Sequence, residues 1–135
     1  MNFLLDSSAW LAHLFAEQGV EQINELFDDP QNEISISALS IPEVYGRLIA
    51  IGREDHWGSI WEMYTLLFPK VFIVNETIAH QAIVLRDSIP DRLPTVDSLI
   101  AATAATHKLT LVHRDSHFVA IPSKLLKQIQ LSKKR

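Results

Sequence analysis

The fold is decided by a stretch near the C-terminal end, which reads LPTVDSLIAATAATHK at residues 93–108 and continues as LTLVHRD at residues 109–115. Pro94 marks a break, and Thr95 is the predicted N-cap of the helix that follows. The many alanines of this helix allow it to pack closely against a flat surface such as a sheet. The apolar run at 109–112 is typical of a short strand buried on both faces. We therefore predict a helix with Asp97 in its first turn, and then a buried strand with Asp115 just past its end.

The rest of the chain alternates short apolar segments with amphipathic helical patterns. The other predicted strands cover residues 2–5, 33–38, 71–74 and 128–131. The other predicted helices cover residues 9–17, 20–27, 40–51, 54–68 and 76–88. Strands that alternate with helices in this way predict an α/β fold with a mainly parallel central sheet covered by helices.

Two of these segments carry more detailed signals. Ser40 followed by Glu43 is a capping box, which predicts that these two side chains close the N-terminus of the helix at 40–51. The segment 33–38 alternates isoleucine and alanine with glutamate and serine. This pattern is typical of a strand with one polar face, and it predicts a position near the edge of the sheet.

The predicted helix at 54–68 carries an apolar stripe at helical spacing. Its members are Trp57, Ile60, Trp61, Tyr64 and Leu67. Packing into the core is the favoured explanation, because amphipathic helices usually bury such a face. A groove or a dimer face is the alternative, because aromatic residues are enriched at interfaces.

Length and composition indicate a single globular domain that covers residues 1–135. The chain is long enough for a sizeable core, with 47% hydrophobic and 21% charged residues. It has no cysteine, which excludes disulfides and thiolate metal ligands. The N-terminal residues lack the pattern of a signal peptide, and no apolar run is long enough to span a membrane. We therefore expect a cytoplasmic protein.

The charge balance is weak evidence about partners. A formal net charge of −4 argues against unspecific binding to nucleic acid. A protein that cuts nucleic acid with bound cations can nevertheless be acidic, because its site needs clustered carboxylates. The basic residues Lys133, Lys134 and Arg135 are expected to form a solvated end rather than a binding patch.

Four carboxylates stand out by their positions at the ends of predicted elements: Asp6, Glu43, Asp97 and Asp115. In an open α/β sheet, ligands bind outside the carboxyl ends of the strands, where all four residues are expected to lie. Carboxylates that converge without a basic partner repel one another, and a hard divalent cation relieves the repulsion. Each residue taken alone is also explained as a helix cap or a first-turn carboxylate, so both explanations stay open at this point.

The chain resembles the PIN-domain family, and most closely the VapC-type toxins of bacterial toxin–antitoxin pairs. The resemblance covers nearly the whole length and depends on four blocks. They are LLDSS at 4–8, SIPEV at 40–44, TVDSLIAATA at 95–104 and LVHRDSHF at 111–118. The third block is the most specific, and the order and separation of all four make the match strong.

This resemblance implies a three-layer α/β/α sandwich around a mainly parallel sheet. It also implies a hydrolase, namely an endoribonuclease that cuts RNA with a water activated by Mg²⁺ or Mn²⁺. Toxins of this type form homodimers and are silenced by an antitoxin whose C-terminal segment enters the acidic site. The implied partners are therefore an RNA substrate, an antitoxin and a second copy of the chain.

The resemblance also implies roles for the four carboxylates as catalytic and metal-binding residues. Asp6 and Asp97 are the implied direct ligands of the metal. Glu43 binds the metal or orients the water, and Asp115 completes the site directly or through water. A single metal ion is expected.

Other side chains near these blocks are expected to support the carboxylates rather than bind metal: Ser7, Ser8 and His113. At His113 the family more often has threonine or serine, and the bulkier imidazole could instead approach the metal or a phosphate. At His117 many members have a further aspartate, whose absence argues against a second metal. A histidine beside an acidic cluster is more often a supporting or surface residue than a ligand.

Two other functions remain open at this stage. A PIN-domain nuclease can act in RNA processing without any antitoxin, and a neighbouring small gene for a DNA-binding partner would distinguish the two systems. A non-catalytic PIN-like interaction module would require the loss of acidic positions, and all four are present. The RNA target and the identity of the antitoxin are not encoded in any motif of the sequence.

Overall fold

The computed structural model describes residues 1–132, so the predicted solvated end at 133–135 lies outside the described residues. The strands are β1 (Asn2–Leu5), β2 (Glu33–Ser37), β3 (Val71–Phe72), β4 (Thr110–His113) and β5 (Gln128–Gln130). The helices are α1 (Ser7–Leu14), α2 (Val20–Asp28), α3 (Ser40–Ala50), α4 (Trp57–Leu67), α5 (Glu76–Asp87) and α6 (Thr95–Thr106). Single 3₁₀ turns cover Glu54–His56 and Ser116–Phe118.

The strands form one sheet in the order β3-β2-β1-β4-β5, and each neighbouring pair is parallel. This arrangement confirms the predicted α/β fold with a parallel central sheet. The sheet places β1 and β4 side by side at its centre, with Leu5 opposite Val112. The residues that follow these two strands therefore emerge next to each other at the same edge.

Each face of the sheet carries its own apolar core. Leu4 and Leu111 pack with α5 and α6 on one face. Phe3, Leu5 and Val112 pack on the other face with buried residues of the first four helices. Side chains alternate between the faces with a period of two, so the central strands β1 and β4 contribute to both cores. The helices on the two faces complete the three layers that the family resemblance implies.

Helix α6 packs closely because its inward side chains are small. Ala101, Ala102 and Ala104 are fully buried, in the same core as the strand residues Leu4 and Leu111. Small side chains bring the helix backbone near the sheet, so the first turn of α6 is held in a fixed position above the ends of the central strands. This confirms the close packing predicted from the alanine-rich sequence.

Both predicted N-caps are wrong. Helix α6 already begins at Thr95, so Pro94 takes the N-cap position and no side chain caps the helix. Helix α3 has Leu39 at its N-cap position, also without a side-chain cap. The capping box fails because Ser40 lies inside the helix and is buried, and both Ser40 and Glu43 contact Ser7 of α1.

The predicted position of the segment 33–38 near the edge of the sheet is confirmed, since β2 lies beside the edge strand β3, but its polar face is buried. Strand β2 lies between β1 and β3, and its serines Ser35 and Ser37 are buried. Burial of Ser37 is tolerated because its hydroxyl accepts a hydrogen bond from the Leu39 backbone N–H at 3.1 Å. The alternating pattern therefore reflects small serine side chains that are buried in the protein and not a face exposed to solvent.

The apolar stripe of α4 belongs only partly to the core. Tyr64 is fully buried, whereas Trp57 and Trp61 are half-buried and Leu67 is exposed. Trp10 of α1 is the centre of this cluster, with ring centroids 6.2 Å from those of both Trp57 and Trp61. Core packing thus explains the inner half of the stripe. Within residues 1–132, no helix has the length and apolar character needed to cross a membrane.

The close packing of α6 is tested by placing a larger side chain on its buried face. We expect Ala102→Leu to lower the free energy of unfolding by about 1–3 kcal/mol, because extra methyl groups in a tightly packed core force the helix from the sheet. Ala79→Leu, at an exposed position of α5, is the matched control and should change stability little. Urea denaturation measures both variants, and equal effects at the two sites would contradict the packing argument.

Candidate functional site

Asp6 lies at the junction of β1 and α1, where its side chain caps the helix. Its Oδ1 accepts hydrogen bonds from the Ala9 backbone N–H at 2.8 Å and from the Ser8 hydroxyl at 2.7 Å. The Asp6 backbone N–H donates to the Val112 carbonyl of β4 at 3.0 Å. The Ser8 hydroxyl also accepts from the Arg114 backbone N–H at 2.9 Å. The ends of the two central strands are therefore tied together around the Asp6 carboxylate.

Asp115 follows β4 and begins the 3₁₀ turn at Ser116–Phe118. Its Oδ1 accepts the His117 backbone N–H at 2.9 Å, and the same oxygen lies 2.7 Å from His117 Nδ1. The Asp115 backbone N–H in turn donates to Nδ1 of His113 at 3.1 Å. These contacts fix the orientation of the carboxylate towards the edge of the sheet.

His113 supports this loop from inside the core. It is fully buried, and its Nε2 lies 2.8 Å from Gln128 Oε1. Because Nδ1 accepts from Asp115, the proton of a neutral ring is assigned to Nε2, which then donates to Gln128. Gln128 Nε2 also donates to the Phe118 carbonyl at 2.9 Å. Both ring nitrogens are thus engaged by protein groups, which is not the approach to a metal or phosphate that the sequence left open.

Asp97 lies in the first turn of α6, across the cleft from Asp115. Its Oδ2 is 4.0 Å from His117 Nδ1, and its side chain is 23% exposed. One ligand atom each from Asp97, Asp115 and His117 lie within 4.8 Å of one another. The alanines that follow Asp97 hold the start of the helix close to the sheet, and this packing brings the carboxylate to the strand ends.

Glu43 reaches the cleft from the first turn of α3. Its side chain is held by the hydroxyl of Ser7, which donates to Glu43 Oε1 and also lies 2.9 Å from the Ser40 hydroxyl. A hydroxyl has one proton, so Ser7 can donate to Glu43 while it accepts from Ser40. Glu43 is exposed, and it is the most solvated of the four carboxylates.

The charge of Asp97 is coupled to those of the other three carboxylates, whereas only Asp97 and Asp115 belong to the compact group of potential ligand atoms. Burial, helped by the charges of Asp97 and Asp115, outweighs the hydrogen bonds from Ala9 and Ser8 and raises the pKa of Asp6 to about 7. Burial also raises the pKa of Asp97 to about 6, together with the charges of Asp115 and Glu43. Each of these acids is therefore harder to ionise because the others are near.

Asp115 behaves differently because of its histidine neighbour. Burial would raise the pKa of Asp115, but the backbone N–H and imidazole of His117 outweigh burial and lower it below the ordinary value. The hydrogen bond to Asp115, followed by the charge of this carboxylate, raises the pKa of His117. The pair thus favours an ionised carboxylate beside a protonated imidazole.

The donor set fits a hard divalent cation. The buried Asp6, the half-buried Asp97 and Asp115 and the exposed Glu43 all offer carboxylate oxygens, and oxygen is what Mg²⁺ and Mn²⁺ prefer. A cation would remove the mutual repulsion that raises the pKa values of Asp6 and Asp97. Without a cation or protons, this concentration of charge destabilises the folded chain.

The inclusion of His117 in the group with Asp97 and Asp115 was not predicted. The signal that could have identified it is the spacing Asp115-x-His117 directly after a buried strand. In a 3₁₀ turn that begins at an aspartate, the side chain two residues later lies beside the carboxylate of that aspartate. The pattern of a short polar turn contains this geometry, but a lone histidine in a loop is too common to indicate it.

The chain matches a known protein family. The family model of the PIN domain matches residues 3–124. No curated protein sequence matches the chain. The matched range includes all four carboxylates.

Several solved structures share the fold. A chain of VapBC2 from Rickettsia felis, bound to a DNA fragment from its promoter, has a TM-score of 0.79 at 17% identity and covers 98% of this chain and 100% of its own. A chain of a toxin–antitoxin complex from Klebsiella pneumoniae is 26% identical, with a TM-score of 0.68 and coverage of 95% and 96%. A chain of VapBC-5 from Mycobacterium tuberculosis has a TM-score of 0.70 at 18% identity and covers 96% and 98%.

The raised pKa of Asp6 predicts how stability depends on pH without metal. Between its ordinary value of 3.8 and its folded value of about 7, the folded state binds more protons than the unfolded state. In EDTA the free energy of unfolding should therefore fall as the pH rises from about 4 to 7, by up to about 1.4 kcal/mol per pH unit from Asp6. Asp6→Asn keeps the helix cap and removes the charge, so it should flatten this slope.

Chemical denaturation at a series of pH values measures the slope for both proteins. Asp87→Asn, at an exposed position at the end of α5, is the control for loss of one carboxylate. A wild-type stability that rises over this pH range, or an unchanged slope in Asp6→Asn, would contradict the electrostatic description of the cleft.

Proposed function

Because the chain belongs to the PIN domain family, we propose that it is a metal-dependent endoribonuclease and the toxin of a toxin–antitoxin pair. The observation that supports the proposal is the compact group of Asp97, Asp115 and His117, with Asp6 and Glu43 close enough for their charges to act on Asp97. A cluster of this kind is unfavourable in a protein that binds no cation. It fits the hydrolysis of RNA phosphodiester bonds at a site that holds Mg²⁺ or Mn²⁺.

The proposal assigns the cation to the carboxylates. Asp6 and Asp97 are direct ligands, and Asp115 completes the site directly or through water. When bound, the ion supplies Lewis-acid stabilisation of charge on the phosphodiester and lowers the pKa of water in the cleft. Because Oδ1 of Asp6 already accepts two hydrogen bonds, its Oδ2 is the oxygen left for the cation.

Three neighbouring side chains, Ser7, Ser8 and His113, orient the carboxylates. Ser8 holds the Asp6 carboxylate and links it to the backbone after β4. Ser7 holds Glu43, which binds the metal or orients the attacking water. His113 holds the loop of Asp115 through the backbone N–H. Support of this kind keeps ligands in position before the metal or substrate arrives.

The proposed partner is an antitoxin. Chains of known toxin–antitoxin complexes from Klebsiella pneumoniae and Mycobacterium tuberculosis cover 95% or more of this chain and are covered by it to a similar extent. The chain thus matches nearly the whole length of one chain from each of these systems, which supports an antitoxin as partner. We propose that a C-terminal segment of this antitoxin blocks the acidic cleft in the cytoplasm and that the toxin is a homodimer.

The nuclease proposal is tested with RNA and purified protein free of inhibitor. In Mg²⁺ or Mn²⁺ the wild-type protein should cleave total cellular RNA, and EDTA or Asp97→Asn should abolish cleavage, because Asn keeps the shape but removes a charge that holds the cation. Ser8→Ala should reduce the rate by about 10–100-fold, because the Asp6 carboxylate loses a hydrogen-bonding partner. Gel electrophoresis of end-labelled fragments measures the rates.

The exposed variant Asp87→Asn should cleave like the wild type. Cleavage that persists in EDTA or in Asp97→Asn would contradict the metal-dependent mechanism. Absence of cleavage by folded wild-type protein in both metals would instead favour a non-catalytic interaction module.

A further inference from the structure

His117 brings a nitrogen donor into a cluster that otherwise offers oxygen. Its Nδ1 lies 2.7 Å from Asp115 Oδ1 and 4.0 Å from Asp97 Oδ2. One ligand atom from each of the three residues lies within 4.8 Å of the others, so the set is compact enough for one ion to contact all three. The sequence resemblance treated this position only as a missing aspartate.

The backbone presents this imidazole to the cleft. Asp115 Oδ1 accepts the His117 N–H at 2.9 Å, which fixes the residue at the start of the 3₁₀ turn. On the other side, Phe118 is fully buried and its carbonyl accepts from Gln128 Nε2 at 2.9 Å. The His117 side chain itself is 53% exposed, so it can rotate onto an incoming ion without disturbing the core.

The chemistry of an imidazole differs from that of the carboxylate it replaces. Mg²⁺ takes oxygen ligands and keeps several waters, whereas imidazole suits transition metals such as Fe²⁺ and Zn²⁺. Mn²⁺ also prefers oxygen, but as a transition-metal ion it accepts an imidazole nitrogen more readily than Mg²⁺ does. The imidazole must release its proton to bind a metal, and the neutral ring carries no charge, which weakens the Coulombic attraction on which a strongly hydrated ion such as Mg²⁺ depends. A set of two carboxylates and one imidazole therefore favours Mn²⁺ more than an all-carboxylate set does.

We propose that His117 is a direct metal ligand beside Asp97 and Asp115, and that its imidazole makes the site select Mn²⁺ over Mg²⁺. This inference rests on the proposed function, which supplies the requirement for a cation. It adds one ligand and a metal preference to that function, and both are properties of this chain's own residues.

The ligand is tested by spectroscopy on metal-stripped protein loaded with Mn²⁺. Electron spin-echo envelope modulation of the bound Mn²⁺ should show nitrogen coupling from a coordinated imidazole, and His117→Asp should bind Mn²⁺ without this coupling. In a competition titration, Mg²⁺ should displace Mn²⁺ at least about tenfold more effectively from His117→Asp than from the wild type. Neither readout depends on RNA cleavage.

A second variant controls for the loss of any exposed histidine. His56 also stands beside an aspartate, Asp55, with 3.9 Å between Nε2 and Oδ1, but it lies on the 3₁₀ turn before α4 and not in the acidic cleft. His56→Asp should keep both the nitrogen coupling and the wild-type competition curve. Asp97→Asn should weaken Mn²⁺ binding, which places the ion in the cleft.

The possible outcomes separate this inference from the proposed function. Bound Mn²⁺ without nitrogen coupling, or coupling that persists in His117→Asp, overturns the role of His117 and leaves the nuclease proposal intact. An unchanged Mg²⁺ competition in His117→Asp overturns the metal preference. Absence of Mn²⁺ binding by folded wild-type protein overturns the proposed function and this inference together.

Discussion

The burial of Asp6 is the constraint on which the rest of the structure depends. Its carboxylate lies at the end of the central strand, 4% exposed, and within the electric field of Asp97 and Asp115. A charged group in such a place costs stability unless it is paired or binds a cation. The hydrogen bonds from Ser8 and Ala9 compensate only part of that cost, since the pKa of Asp6 still rises to about 7.

The pairing of strands and the packing of helices bring these negatively charged carboxylates together. Parallel pairing of β1 and β4 puts the residues after both strands at one edge, where the Ser8 hydroxyl joins Asp6 to the Arg114 backbone. The alanines of α6 bring Asp97 to the same edge. The buried His113 then orients the Asp115 loop through a backbone hydrogen bond. Stability is thus provided by the two apolar cores, while the edge between them is kept acidic.

The sequence predicted most of the fold because its signals were local and redundant. Apolar strands, alternating helices and the alanines of α6 all indicated the same parallel sheet. It failed where one residue type fits two environments: Ser40 and Glu43 match a capping box, yet they contact Ser7 across the cleft. The positions of Asp6 and Asp97 at element ends could be predicted, but the partners of their carboxylates depend on tertiary contacts. The proximity of His117 to Asp115 and Asp97 could not be predicted for the same reason.

The most direct test of the central claim is thermal unfolding at pH 7.5 of the wild type and Asp97→Asn, each in EDTA and in saturating Mn²⁺. If the acidic cleft is a cation site, Asp97→Asn should be more stable than the wild type in EDTA and less stable in Mn²⁺. A metal at about 100 times its Kd stabilises a folded protein by about 2.7 kcal/mol, so the reversal should be measurable. An equal response of both proteins to Mn²⁺ would show that the carboxylates do not hold the ion and would contradict the account.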